Sequence, residues 1–286
     1  MNIVVDLGAT NLRAGLEKDG IISEENAIVL ENKHSLEATL SQIIDFLKPY
    51  ALHDAQSIGI GVPSVVDIVN GIVYNAANIP SWKEVHLKEV LESAFGIPVY
   101  VNNDVNCFVL GEHRFGLAKN YNSVVGVCIG TGLGTGIIVN NQLYTGVNCG
   151  AGELGHLPYL EHDVEHYVSG SFFETRYGLS AMEASRRMQT EREKAQPMWN
   201  EYGVHLAHAL ITVMYAYDPE AIVLGGSLAK AFPYFERQMW STMEERFAYP
   251  ESLRKLSIFP SVDETISLLG ASLLSHQDSG TLIDHK

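Results

Sequence analysis

Cysteine is scarce in the sequence, with three in 286 residues. Cys107, Cys128 and Cys149 are an odd number in no metal-type spacing, which argues against a disulfide framework and leaves buried free thiols in a reducing compartment. Positive charge is scarce too: 19 Lys and Arg stand against 34 Asp and Glu, a formal net charge of −15. The basic residues are scattered singly apart from "SRRM" and "EREK", so a nucleic-acid backbone is repelled and no local patch reverses the field. No apolar run approaches the ~20 residues that span a bilayer. The chain opens directly on "MNIVVDLGAT", with neither a basic n-region nor a small-residue cleavage site. These absences point to a cytoplasmic protein. What is present is a 46% hydrophobic content, enough for one large domain or two medium ones.

Along the chain, "IVVDL", "LRAGLEK" and "IISEENAIV" read as three strands joined by glycine-bearing turns. Ser35 is a good N-cap for a helix with Leu36, Leu40, Ile43, Ile44 and Leu47 on one side. A buried strand "SIGIGV" follows, then a proline turn, a helix over "SWKEVHLKEVLESAFG" closed by Gly96, and the strand "PVYVNND". "VVGVCIGTGLGTGIIVNNQLYTG" then repeats the strand–glycine turn–strand–strand pattern of the N-terminus. Such a repeat implies two similarly built domains facing each other. Helices are expected over 171–187 and 196–217, a strand at "AIVLGG", and a terminal helix near "ISLLGASLLSH".

Four stretches can carry chemistry. "DLGATN" sets Asp6 at a strand end, with Gly8 and Thr10 in the turn. Glycine lets backbone N–H groups approach an anion, the threonine hydroxyl adds a donor, and the acid can hold magnesium through water. By itself the stretch is equally an ordinary β-hairpin. "GTGLGTG" repeats that logic at Gly130, Thr131 and Gly132; no Lys-Ser/Thr follows, so it is no Walker loop, and strand residues follow, so it is no dinucleotide fingerprint. Gly225 and Gly226 form a third glycine turn, against which adenine would lie flat, or a plain strand-to-helix turn. "VNNDVN" places Asp104 where an α/β protein sets a general base, or where Asx residues cap a helix starting near Val105.

In this order, "DLGATN", "GVPSVVD", "NIPSW", "NNDVN", "GTGLGTGI", "GELGH", "VEHYVSG" and "DPEAIVLGG" resemble the ROK family of sugar kinases and repressors, from Asp6 to about Leu274. The resemblance implies an α/β, two-domain actin-like ATPase (ribonuclease H-like) fold with duplicated mixed sheets flanked by helices. It implies a smaller domain over 1–112, joined by a C-terminal helix at about 270–286, and a larger one over 113–269. It also implies ATP- and magnesium-dependent transfer of the γ-phosphoryl group to a hexose hydroxyl, most often the 6-hydroxyl. Asp104 matches the general base. Asn103, Glu153, His156 and Glu165 match sugar ligands, and Asn78 sits where the family frames the sugar pocket. Asp6, Gly8, Thr10, Gly130, Thr131 and Gly132 match the two phosphate turns, with Asp6 holding magnesium through water; Gly225 and Gly226 match the adenosine motif. Glucose, allose, fructose and N-acetylhexosamines are the sugar classes implied, and a homodimer is compatible.

The sequence departs from the family in two places. Most members insert a Cys-x-Cys-Gly-x-x-Gly-Cys loop after "ExGH", whose cysteines hold a structural zinc together with that histidine. Here "GHLPYLEHDVEHYVSG" omits the loop, and no cysteine follows Cys149. No zinc is expected: His162 and His166 fit no zinc spacing and read as solvated or helix-facing, and His156 is expected to face the sugar, held by packing and by a hydrogen bond to one ring nitrogen. Ser64 stands where many members have glycine. The repressor branch carries a DNA-binding module before the first phosphate motif, and with the first strand at Ile3 no room for one is expected. A sugar sensor without catalysis is the rival from a different class. Asp6, Asp104 and Thr131 are all present, which favours the enzyme.

Overall fold

A computed structural model describes residues 1–8 and 10–277; Ala9 of "DLGATN" and residues 278–286 of the expected terminal helix lie outside the described residues. The chain divides into two compact units. The first takes Met1–Asn120, Leu143–Ala151 and the chain from Asp263 on; the second takes Tyr121–Gln142 and Gly152–Val262. The first unit therefore runs past residue 112 and includes a segment, 143–151, that the sequence does not mark as its own.

The first unit contains strands β1 (Asn2–Leu7), β2 (Asn11–Lys18), β3 (Ile21–Val29), β4 (Ile58–Val62), β5 (Val65–Asp67), β6 (Ile72–Tyr74), β7 (Glu84–His86) and β8 (Val99–Asn103). Its helices are α1 (Leu36–Leu47), α2 (Leu87–Phe95) and α3 (Asp104–Arg114), with a C-terminal helix Ile266–Ser272. The main sheet has the order β3-β2-β1-β4-β8, antiparallel between β1, β2 and β3 and parallel between β1, β4 and β8. Ile3, Val4, Val5 and Leu7 are fully buried, as are Ile58, Ile60 and Val62, the continuous apolar runs expected of central strands covered on both faces.

The second unit contains β9 (Val124–Ile129), β10 (Leu133–Val139), β11 (Gln142–Leu143, at whose second residue the first unit resumes), the hairpin β12 (Pro158–Tyr159) and β13 (His162–Asp163), then β14 (Ala221–Gly225) and β15 (Ser257–Pro260). Its sheet order is β11-β10-β9-β14-β15, with β9 and β10 antiparallel and β9, β14 and β15 parallel. Both main sheets therefore follow one plan, with the glycine turn linking the two central antiparallel strands each time. The expected α/β fold with duplicated mixed sheets is present. Helices α4 (Val164–Val168), α5 (Gly170–Tyr177), α6 (Ala181–Thr190), α7 (Arg192–Tyr217) and α8 (Phe232–Arg246) enclose an aromatic core of Phe172, Phe173, Trp199, Tyr202 and Phe235.

Two expected helices are corrected. Over "SWKEVHLKEVLESAFG" only Leu87–Phe95 is helical, ending on Gly96 in the left-handed conformation (φ 69°). Glu84–His86 instead pairs antiparallel with Ile72–Tyr74, buried only at its central Val85. That small sheet, β5-β6-β7, overrides helical propensity and left no periodic signal because each strand is three residues long. The helix expected over 171–187 is two. Gly178 (φ 65°) ends α5, and Ser180 opens α6 with a reciprocal capping box to Glu183. Among the described residues no helix is long and apolar enough to cross a membrane.

Candidate functional site

In the first unit the sequence-predicted residues collect at the carboxyl ends of β1, β4 and β8. Asp6 lies one residue before the end of β1, and the turn after it is closed by a hydrogen bond from Gly8 N–H to the Asn11 carbonyl at 2.9 Å. The Thr10 carbonyl accepts from Leu30 N–H at 2.9 Å. The Asp6 side chain is 22% exposed, with Arg13 Nη1 4.0 Å from its Oδ2. Burial pushes the Asp6 carboxyl above its usual range, and Arg13 only partly draws it back. An ionised Asp6 is thus short of positive charge. A hard carboxylate oxygen with that deficit fits a hydrated magnesium ion.

β8 ends where α3 begins, and the cap expected for "VNNDVN" is there. Asn103 is the N-cap: its side-chain oxygen accepts from Val105 N–H at 2.9 Å and Asn106 N–H at 3.2 Å. Its amide donates to the Ser64 carbonyl at 3.2 Å. Asp104 is the first helical residue, where the helix dipole favours a negative charge, and its Oδ1 accepts from Val105 N–H at 2.9 Å. Gly61 of β4 lies beneath this corner; a Cβ there would sit 3.1 Å from Asp104 Cα and 3.1 Å from Cys107 Sγ. Burial raises the Cys107 thiol well above its usual value, and the carboxylates of Asp6 and Asp104 raise it further, so one buried thiol senses both acids. Asn78, in the left-handed region (φ 61°), is exposed in a turn tied to the same segment by a 3.0 Å bond from Ala77 N–H to the Pro63 carbonyl.

In the second unit three turns pack together. The Gly130–Gly132 turn is closed by Gly130 N–H to the Gly132 carbonyl at 3.0 Å, and the Gly130 carbonyl accepts from Gly170 N–H at 2.7 Å. Thr131 is exposed at its tip. Glu165, on α4, reaches this turn: its Oε2 accepts from Leu133 N–H at 2.8 Å and would lie 2.7 Å from a Cβ on Gly132. The "GELGH" turn crosses the same ground, since a Cβ on Gly155 would meet the Leu133 carbonyl at 3.0 Å and Glu165 Cβ at 3.4 Å. Gly225 ends β14 in register with Cys128, and Gly226 (φ 81°) has no room for a Cβ, which would collide with the Ile129 carbonyl. Bare backbone thus lines the turn where a flat ligand group would lie close.

Glu153 and His156 are both open to solvent. Glu153 Oε2 is 3.7 Å from His156 Nε2, with side chains 47% and 72% exposed. The expected packing around His156 is therefore not seen; a single 3-10 turn, Leu154–His156, carries it outward beside the carboxylate three residues back. His162 and His166 stack with ring centroids 4.0 Å apart. Among the described residues no group of three or more His, Cys, Asp or Glu converges as metal ligands. Sequence reasoning missed Arg13 and the place of Cys149 beside Asn102. The two asparagines flanking "ND" were visible, but nothing in the sequence tied Cys149 to them.

The ROK family model matches residues 2–278. A xylose repressor from Bacillus spizizenii is 27% identical over 85% of this chain and 69% of its own length. A glucokinase from Thermotoga maritima is 27% identical over 80% of this chain and 82% of its own. In structure the chain is similar to a ROK family glucokinase from Streptomyces griseus in complex with glucose and AMPPNP, with a TM-score of 0.83 at 24% identity over 96% of this chain and 99% of that one. A family match over nearly the whole length, on a fold shared with a ROK glucokinase, means that the chain belongs to the ROK family.

Proposed function

We propose that the chain is a sugar kinase that transfers the γ-phosphoryl group of ATP to a hexose hydroxyl, the 6-hydroxyl first, from the glucose, allose, fructose or N-acetylhexosamine class. The observation that carries this is the pairing within the first unit: Asp6, beside the first glycine turn, stands in register with Gly61 of β4, and a Cβ on that glycine would lie 3.1 Å from the Cα of Asp104 at the head of α3. One acid removes a proton and the other manages phosphate charge, and phosphoryl transfer needs both while asking little covalent chemistry of the protein. Kinases among the relatives support the same reading.

Asp104 takes the proton of the attacking hydroxyl, and Asn103 and Asn78 orient the sugar. Glu153, His156 and Glu165 accept or donate to its remaining hydroxyls, and Glu165 also holds the second phosphate turn. Gly8 and Gly130, whose own N–H groups close their turns, let the phosphates approach the backbone, and Thr10, Thr131 and Gly132 donate to them, while Gly225 and Gly226 lie against the adenosine. Asp6 would hold magnesium through water, and the ion would supply charge neutralisation at the phosphates.

A second reading, a sugar sensor or regulator without turnover, is favoured by the repressor among the relatives. One experiment separates the two: a panel of hexoses and N-acetylhexosamines in a coupled ADP-release assay, with calorimetric sugar binding beside it, on wild type and Asp104→Asn. The kinase reading expects turnover on at least one sugar. It also expects Asp104→Asn to lose about two orders of magnitude in kcat with sugar affinity retained. Sugar binding without wild-type turnover supports the sensor instead, and near-normal turnover in a folded Asp104→Asn protein puts the base elsewhere.

A further inference from the structure

Beneath the corner that carries Asp104 lies a buried polar triangle to which the proposed chemistry gives no role. Asn102 and Asn106 are each 2% exposed, side chains that need internal partners. Asn102 Oδ1 accepts from Asn103 N–H at 2.8 Å and from Asn106 Nδ2 at 2.9 Å, and the Cys149 thiol points at the same oxygen from 3.5 Å. Asn106 Nδ2 in turn lies 3.6 Å from Cys149 Sγ. Two short bonds fill the oxygen's two lone pairs, and sulfur closes the third edge with a longer, weaker contact.

These bonds bracket Asp104 along the chain. Asn102 fixes the peptide of residue 103 on one side and the side chain of Asn106 on the other. The Asn103 side chain fixes the N–H groups of Val105 and Asn106. The backbone on both sides of the base is therefore held by the side-chain oxygens of Asn102 and Asn103.

Cys149 adds a second, independent observation. It is buried and stands in the left-handed region (φ 55°), a conformation that L side chains rarely adopt. Glycine would relax that backbone but bring no sulfur. A strained non-glycine residue kept at a proposed active site points to a use for its side chain. The visible use is the clasp, which ties segment 143–151 to the 102–106 corner inside the first unit.

We infer that Asn102 is a positioning residue for Asp104, acting with Asn106 and the Cys149 thiol as a buried clasp; this rests on the reading of Asp104 as general base. A base displaced by about 1 Å loses on the order of a hundredfold. A residue that acts only through the base should lose its effect once the base is gone. The test is a double-mutant cycle: kcat and KM for sugar and ATP in wild type, Asn102→Ala, Asp104→Asn and the double variant, with melting curves for each. Asn102→Ala is expected to lower kcat about 30-fold with both KM values changed less than about threefold. In the Asp104→Asn background the same change should lower kcat less than about threefold. Equal losses in both backgrounds, or a rise in KM at constant kcat, would overturn the inference. Should Asn102→Ala fail to fold, Cys149→Gly serves: it relieves the strained backbone, keeps the melting temperature, and is expected to lower kcat about three- to tenfold. An unchanged kcat in Cys149→Gly would also overturn the inference. Absence of wild-type turnover on every sugar would sink the kinase reading and this role with it, whereas turnover with an additive cycle sinks the clasp alone.

Discussion

Asp6 shows how a single residue at a site of this kind works against the fold that holds it. Its carboxyl is raised by burial more than Arg13 lowers it, so folding favours the protonated form. The contribution of Asp6 to stability is therefore fullest below the unfolded value near 3.8 and is lost as pH rises through the higher folded value. At neutral pH the ionised acid is a net liability in the ligand-free protein. Asp6→Asn is therefore expected to raise the melting temperature at pH 7 relative to wild type, with the gain shrinking as pH falls toward 4, and to abolish turnover through loss of the phosphate-side charge. Melting curves from pH 4 to 8 check this. A lower melting temperature for Asp6→Asn across that range would mean that the ion pair with Arg13, 4.0 Å away, outweighs the burial.

At the scale of elements, the close approach of α3, β4 and the C-terminal helix rests on glycines whose roles differ. A Cβ on Gly270 would collide with the Cys107 carbonyl, one on Gly111 with the Ile266 carbonyl, and one on Gly59 with the Ala271 carbonyl. These are backbone atoms, which cannot rotate away, and overpacking against them costs about 1–3 kcal/mol or more. Gly178 has nothing within 4 Å of its Cβ position, and only its φ of 65° resists a side chain, at about 1–2 kcal/mol. Gly270→Ala is therefore expected to lower the melting temperature clearly more than Gly178→Ala, and to reduce turnover because it presses on the helix that begins with Asp104. Equal effects of the two substitutions would mean that the helices separate without penalty. The same contrast explains what the sequence could disclose. Strands β1, β2, β3, β4, β8, β9, β10 and β14 and the Ser35 cap were legible because apolar runs, glycine turns and cap residues act locally. The break at Gly178 and the strand at Glu84–His86 were not, because one depends on a conformation that glycine permits without demanding and the other on a partner strand twelve residues earlier. In the site, "NNDVN" disclosed the cap and Asp104, but the bond from the Leu133 N–H to Glu165 and the Cys149 contact join residues 32 and 47 positions apart, beyond any local pattern.

Over the whole molecule, the chain's ligand inventory bears on whether it needs a structural metal. The first unit buries two cysteine thiols, Cys107 and Cys149, beside asparagines and acids, and Cys128 lies in β9 of the second unit, in register with Gly225. By resemblance, relatives pin the segment after "ExGH" with cysteine-bound zinc. In this chain that segment is a two-residue hairpin, Pro158–Tyr159 against Asp163–His162, closed further by Val164 N–H to the Leu157 carbonyl at 3.0 Å. Asp163 then caps α4 by accepting from His166 N–H at 2.9 Å. A short, hydrogen-bonded connection has less conformational freedom to lose and needs less pinning. Nor do the nearby histidines offer a ready tetrahedron. The rings of His162 and His166 are stacked at 26°, so their in-plane lone pairs point side by side and not at one shared ion. Protein purified without chelator is therefore expected to carry well under one zinc per chain by elemental analysis. It should also keep its melting temperature and its turnover after dialysis against a zinc-selective chelator with magnesium restored. About one zinc per chain, or a melting transition that falls with chelator and returns with zinc, would mean that His162 and His166 rotate apart to bind metal and that the hairpin alone does not hold "GELGH" in place.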